Sequence, residues 1–228
     1  MRKTNNKIKF TSLIIVLSCI LSILSLSIST SIYNMEMFLN YFKMPSIFIL
    51  NTLPVIGIMS LGFFLTNSVG TSYLISSIII LGGSFINFYK IQFRNDPFMY
   101  EDLQLIKEAS KMLGNFKIVP NILLISIIIV SVILIVLIFR WTDIKANRNV
   151  RLIGGMAAMG FLFLTIKVYP NQTLYQYTES NKLRDSGNQL EQFSSRGFVY
   201  PFFYSTRYNH VEKPSGYDKE YAKGIWIR

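Results

Sequence analysis

Five stretches of apolar residues, almost free of charge, dominate this 228-residue chain. About 20 residues of helix cross a hydrocarbon core of about 30 Å. A core helix of a soluble protein alternates an apolar face with a polar one, and these blocks do not. They predict membrane spans at about 10–33, 46–66, 72–89, 119–139 and 152–169. The expected fold class is therefore all-α: a polytopic membrane protein of five transmembrane helices, with an extracellular amphipathic helix and a partly helical C-terminal tail. Two regions follow from this, a transmembrane domain over 1–169 and a juxtamembrane tail over 170–228.

Charge orients the bundle. Arg2, Lys3, Lys7 and Lys9 precede the first block, and Arg140, Lys145, Arg148 and Arg151 lie between the fourth and fifth, against Asp143 alone. The first external loop, Asn34 to Pro45, holds only Lys43 and Glu36, and the 90–118 loop is nearly balanced. Cytoplasmic loops carry the Lys/Arg excess, so the N-terminus is expected in the cytoplasm and the tail outside. The first block is longer than a signal h-region and no A-x-A site follows it, so it reads as an uncleaved helix of a bacterial cell-membrane protein. A net charge of +11 suggests nucleic acid in a soluble chain. Here the cations sit in short loops beside apolar blocks, where anionic headgroups meet them, and no basic stripe is interleaved with aromatics on a soluble segment. Nucleic-acid binding is not expected.

Inside the blocks the polar residues are small. Ser18, Ser22, Ser25 and Ser29 share one helical face, suited to close approach of another helix. Pro54 predicts a kink, and Asn51 a hydrogen bond to a neighbouring helix. Gly82 and Gly83 suggest close-packing points, as does Gly154-x-x-x-Ala158. Cys19 has no second cysteine to pair with. His210 has no Cys or His partner, so no zinc site is expected.

The 90–118 loop is of a different kind. Leu103, Ile106, Ser110 and Leu113 line one stripe, with Glu101 and Asp102 at the start, Lys111 near the end and Gly114 beyond. This order predicts an interfacial helix over about 100–113. Ahead of it, Lys90 and Arg94 stand four apart, facing Asp96 and Asp102 in sequence. Two cations at the headgroup level can hold a lipid phosphate, Arg bidentately. Lys90, Arg94, Asp96 and Asp102 are thus the candidate lipid-headgroup residues, with anionic phosphatidylglycerol the expected partner. The competing reading makes the two cations interface anchors paired with Asp96 or Asp102. No catalytic triad, phosphate loop or metal-ligand cluster is present, so no catalytic residue and no cofactor are expected in this chain. The tail carries an aromatic cluster: Phe198, Tyr200, Phe202, Phe203, Tyr204 and Tyr208. Its end completes no fold, and a truncated or split product is expected.

The run Asn87-x-x-Lys90-x-x-x-Arg94-x-Asp96-Pro97-Phe98-x-x-x-Asp102-Leu103-x-x-x-x-Glu108-Ala109 resembles the extracellular loop of the lipoteichoic acid synthase and phosphoglycerol transferase-like family, which has the membrane sulfatase fold. Ser195-Arg196-Gly197-Phe198-Val199-Tyr200-Pro201-Phe202 and Lys213-Pro214-Ser215-Gly216-Tyr217 are similar to that family's juncture between bundle and enzyme. The resemblance implies a further extracellular domain with a threonine nucleophile and a divalent metal, typically manganese, moving glycerol phosphate from phosphatidylglycerol. None of those residues matches a position here. The implied role is membrane anchor and platform, not catalytic alone. The alternative is a stand-alone polytopic protein that binds or moves a lipid.

Overall fold

The computed structural model describes residues 2–30, 35–104, 121–179 and 189–209. Among them the secondary structure is helical throughout. The chain runs α1 (Arg2–Thr30), α2 (Met35–Lys43), α3 (Pro45–Thr66), α4 (Val69–Arg94), a 3-10 turn (Tyr100–Leu103), α5 (Ile122–Trp141), α6 (Arg148–Val168), α7 (Gln172–Glu179), α8 (Gln189–Ser195), α9 (Val199–Tyr204) and a second 3-10 turn (Ser205–Asn209). Five helices are long and apolar enough to cross a membrane: Phe10–Ser29, Pro45–Thr66, Val69–Arg94, Ile122–Trp141 and Arg148–Val168. The protein is a polytopic, all-helical membrane protein.

The boundaries have local causes. α4 starts at Val69, before the expected Ser72, because the Ser68 hydroxyl caps it, accepting from the Thr71 amide at 3.3 Å. It continues to Arg94, past the expected Tyr89, and stops at Asn95 in the left-handed conformation, φ 53°. α3 ends in the same way at Asn67, φ 57°. One expectation needs correction: the 34–45 stretch, read as a loop, contains α2. Of the interfacial helix expected over 100–113, Tyr100–Leu103 forms a 3-10 turn, and 105–113 lies outside the described residues.

α1, α3 and α4 pack mutually; α5 lies along α4 and touches α1; α6 lies along α3. In lipid, association relies on van der Waals fit and interhelical hydrogen bonds, so small residues mark the seams. Ser18, Ser22, Ser25 and Ser29 are all buried. Ser25 and Ser84 share a hydrogen bond of 2.7 Å across the α1–α4 seam. α3 and α6 interlock in both directions. A Cβ on Gly57 would lie 2.6 Å from Leu162, and one on Gly154 would lie 2.3 Å from Phe64. Gly82, by contrast, has open space above it, while Gly83 receives the Phe198 ring.

Pro54 removes a donor from α3 and orphans the carbonyl of Leu50, one turn back. The Tyr169 hydroxyl donates to that carbonyl at 2.6 Å. At the end carrying the start of α1, here the near end, the Arg151 guanidinium donates to the carbonyls of Phe64 and Leu65 at 3.0 and 2.6 Å. It thereby closes the last turn of α3.

Candidate functional site

The opposite, far end holds the residues singled out from sequence. Lys90 sits in the last turns of α4, its side chain 13% exposed. Its ammonium is 2.6 Å from Asp96 and 2.8 Å from Asp102, and donates to the Pro97 carbonyl at 2.8 Å. An ammonium has three N–H donors, and these three acceptors match them. Asp102 also accepts from the Met99 amide at 2.7 Å. Asn87, one turn below Lys90, accepts from the Phe98 amide at 2.9 Å. The loop after α4 is therefore folded back over the helix end, with Lys90 as its clamp. Arg94 is exposed and makes no hydrogen bond or ion pair among the described residues. The structure brings Lys90, Asp96 and Asp102 together and leaves Arg94 facing out.

The C-terminal segment completes this end, and sequence reasoning missed how. Residues Arg196 to Tyr200 enter the bundle between α1, α3 and α4. Gly197 adopts φ +85°, and a Cβ there would lie 2.4 Å from Leu26 and 2.9 Å from Asn51 Oδ1. Only glycine fits that turn without strain. The Phe198 ring lies over Gly83 of α4. Backbone buried here must find partners within the protein. Asn51 supplies them. Its Nδ2 donates to the Arg196 carbonyl at 2.7 Å and its Oδ1 accepts from the Tyr200 amide at 3.1 Å. Asn51 thus bonds a neighbouring helix, but that helix is α9 of the C-terminal segment, with Tyr200 in its first turn and Arg196 just ahead of it, some 145 residues away in sequence.

Around the plug the contacts are aromatic and polar. Phe98 stacks on Phe198 and Phe202, with centroids 6.3 and 5.6 Å away. The Tyr100 amide donates to Ser205 Oγ at 2.8 Å, which ties the loop to the segment. Arg196 is 2% exposed, its guanidinium 3.9 Å from the centre of the Tyr175 ring and its Nε donating to Thr178 at 2.9 Å. Tyr175 stacks on Tyr204 at 3.7 Å. Burial pushes the Tyr200 phenol up to about 12, against smaller lowering effects of the Thr178 hydroxyl and Arg196. Burial raises Tyr169 as well, and neighbouring Tyr200 adds to it. Of the aromatic cluster of the tail, Phe198, Tyr200 and Tyr204 are turned inward and buried, and Phe202 and Phe203 are half-buried.

The manganese that the resemblance implies finds no donor set here: among the described residues no three of His, Cys, Asp or Glu gather in one place. No family model, curated protein or solved structure matches the chain. The lipoteichoic acid synthase-like resemblance rests on its residues alone.

Proposed function

We propose that this protein is a membrane-embedded, lipid-interacting module that presents a cation to anionic headgroups at its far end. The observation that carries this is the division of labour between two cations. Lys90 has its donors committed to Asp96, Asp102 and Pro97, whereas Arg94 is exposed with its fork unengaged among the described residues. A guanidinium at the headgroup level can take a phosphate bidentately. The charge asymmetry of the loops favours the far end lying outside the cell.

The test is lipid retention. With phosphatidylglycerol titrated against phosphatidylcholine in native mass spectrometry, Arg94→Gln should weaken retention of phosphatidylglycerol. A charge-assisted hydrogen bond contributes about 1.5–3 kcal/mol, roughly tenfold or more in affinity. Arg94→Lys should recover part of the loss, because an ammonium cannot form the planar fork. Equal retention by all three proteins would remove Arg94 from the site.

A second reading is favoured by the docked C-terminal segment. An anchor for a phosphoglycerol transferase of the lipoteichoic acid synthase type needs a rigid exit from the bundle, and the Asn51-held plug is one. This reading expects the purified chain to show no metal-dependent turnover of phosphatidylglycerol, and the longest product of its locus to transfer glycerol phosphate. Absence of transfer by that product would leave the first reading alone.

A further inference from the structure

α2 carries an exposed apolar face that neither the headgroup reading nor the bundle packing uses. Tyr41 points into the protein, wholly buried, its hydroxyl donating to the Ser194 carbonyl at 2.5 Å. At about 100° per residue, Leu39 and Lys43 fall about 160° from Tyr41 on either side, and Phe42 lies between Leu39 and Tyr41 on the wheel, so the two apolar side chains adjoin. Leu39 is 53% and Phe42 49% exposed, and Lys43 is exposed as well.

The patch does not end with α2. Phe42 stacks on Phe48 at 6.1 Å, and Phe48 belongs to the first turns of the membrane span α3. Ile49, beside it, is 53% exposed. The apolar face of α2 is therefore continuous with the outward, lipid-facing side of α3, and a cation stands at its edge. An amphipathic helix with these features lies in the plane of the interface, its apolar side chains at the acyl boundary and its lysine at the phosphates.

We propose that α2 is an interfacial helix whose partner is the phospholipid leaflet at the far end, with Leu39 and Phe42 seated among the upper acyl carbons and Lys43 among the phosphates. This rests on the chain spanning the membrane and not on the role of Arg94. Because Tyr41 holds Ser194 of α8, α2 also fixes the height of the C-terminal segment relative to that leaflet.

The experiment places tryptophan at position 39 or 42, one at a time, in the full chain carrying Trp141→Phe and Trp226→Phe. Each protein is reconstituted in phosphatidylcholine–phosphatidylglycerol vesicles. Bromine is carried on the acyl chain either close to the glycerol or close to the terminal methyl. Aqueous acrylamide is the second quencher. Lys145→Trp in the same background serves as the water-exposed comparator, since Lys145 is 70% exposed in a loop. The expected result is a blue-shifted emission for Leu39→Trp and Phe42→Trp, strong quenching by the shallow bromine and weak quenching by the deep one. Acrylamide quenching should be several-fold weaker than at position 145. Efficient acrylamide quenching with no bromolipid effect would place the face in water and overturn the proposal. Protection from both quenchers would also overturn it, because a protein surface would then cover α2. Either variant reports independently, so poor reconstitution of one leaves the other to decide.

Discussion

Gly197 is the residue on which the far end turns. Its positive φ and its approach to Leu26 leave no room for a Cβ. Gly197→Ala should destabilise the protein by more than about 1 kcal/mol, read as a lowered melting temperature in detergent. An unchanged melting temperature would mean that the segment does not enter the bundle. Tyr200 behaves in the opposite sense. Its hydroxyl is buried and, with only a weak interaction with Thr178, makes no well-formed hydrogen bond among the described residues, so Tyr200→Phe at nearly constant shape should be neutral to stabilising. The same residue sets an alkaline limit. Folding holds the phenols of Tyr169 and Tyr200 protonated above their ordinary range. The stability this contributes is complete below the unfolded value of about pH 10 and is lost as pH rises through the folded values, about 12 for Tyr200. Melting temperature should therefore be insensitive to tyrosine ionisation near neutrality and fall above about pH 10, with Tyr200→Phe showing a shallower fall.

At the scale of elements, what was legible in sequence was what depends on local composition. The five spans could be read because each apolar block declares its own environment. The Ser18–Ser29 face and Gly154-x-x-x-Ala158 could be read because helical spacing alone brings small residues to one side. α2 was missed because its apolar residues fill a short stretch between two longer blocks, and only the burial of Tyr41 separates its two faces. Lys90 could be placed near Asp96 and Asp102, but sequence could not show that all three ammonium donors are taken. That Asn51 bonds a neighbouring helix was legible, but which one was not, since its partners lie 145 and 149 residues away. That role has a direct test. Asn51→Leu leaves the Arg196 carbonyl and Tyr200 amide without a partner, at a cost of about 1–3 kcal/mol each. Trypsin should then cut after Arg196, which is 2% exposed in the folded protein, while the five spans remain inserted. Continued resistance at Arg196 would show that Asn51 does not hold the segment.

For the whole molecule, sidedness has a clean readout. The near end should face the cytoplasm, as its loops hold eight Lys/Arg against one acid. In a Cys19→Ser background, Ser215→Cys should react with an impermeant thiol reagent in intact cells and Asn147→Cys should not. The reverse pattern would invert the protein in the membrane. The outermost helices then face the lipid: α5 and α6 expose long apolar surfaces, among them Ile122, Val136, Ile153 and Phe163. Glycine notches fit their inner faces to the bundle: Gly70 receives Phe139 of α5, Gly57 receives Leu162 of α6, and Gly154 of α6 receives Phe64.

The plug also dictates an order of events during biosynthesis. Asn51 enters the membrane early, while Arg196 and Tyr200 are still untranslated, so α3 must wait in the bilayer with an amide side chain unpaired at its Oδ1. The wait ends only after α6 has inserted and the chain beyond it has folded back into the bundle. Until then the nascent protein carries a polar defect that quality-control proteases of the membrane can recognise. A ribosome-stalled chain ending before Phe193 should be short-lived in cells, and Asn51→Leu should lengthen its life while shortening that of the full chain. One side chain thus times the maturation of the protein by marking it as unfinished.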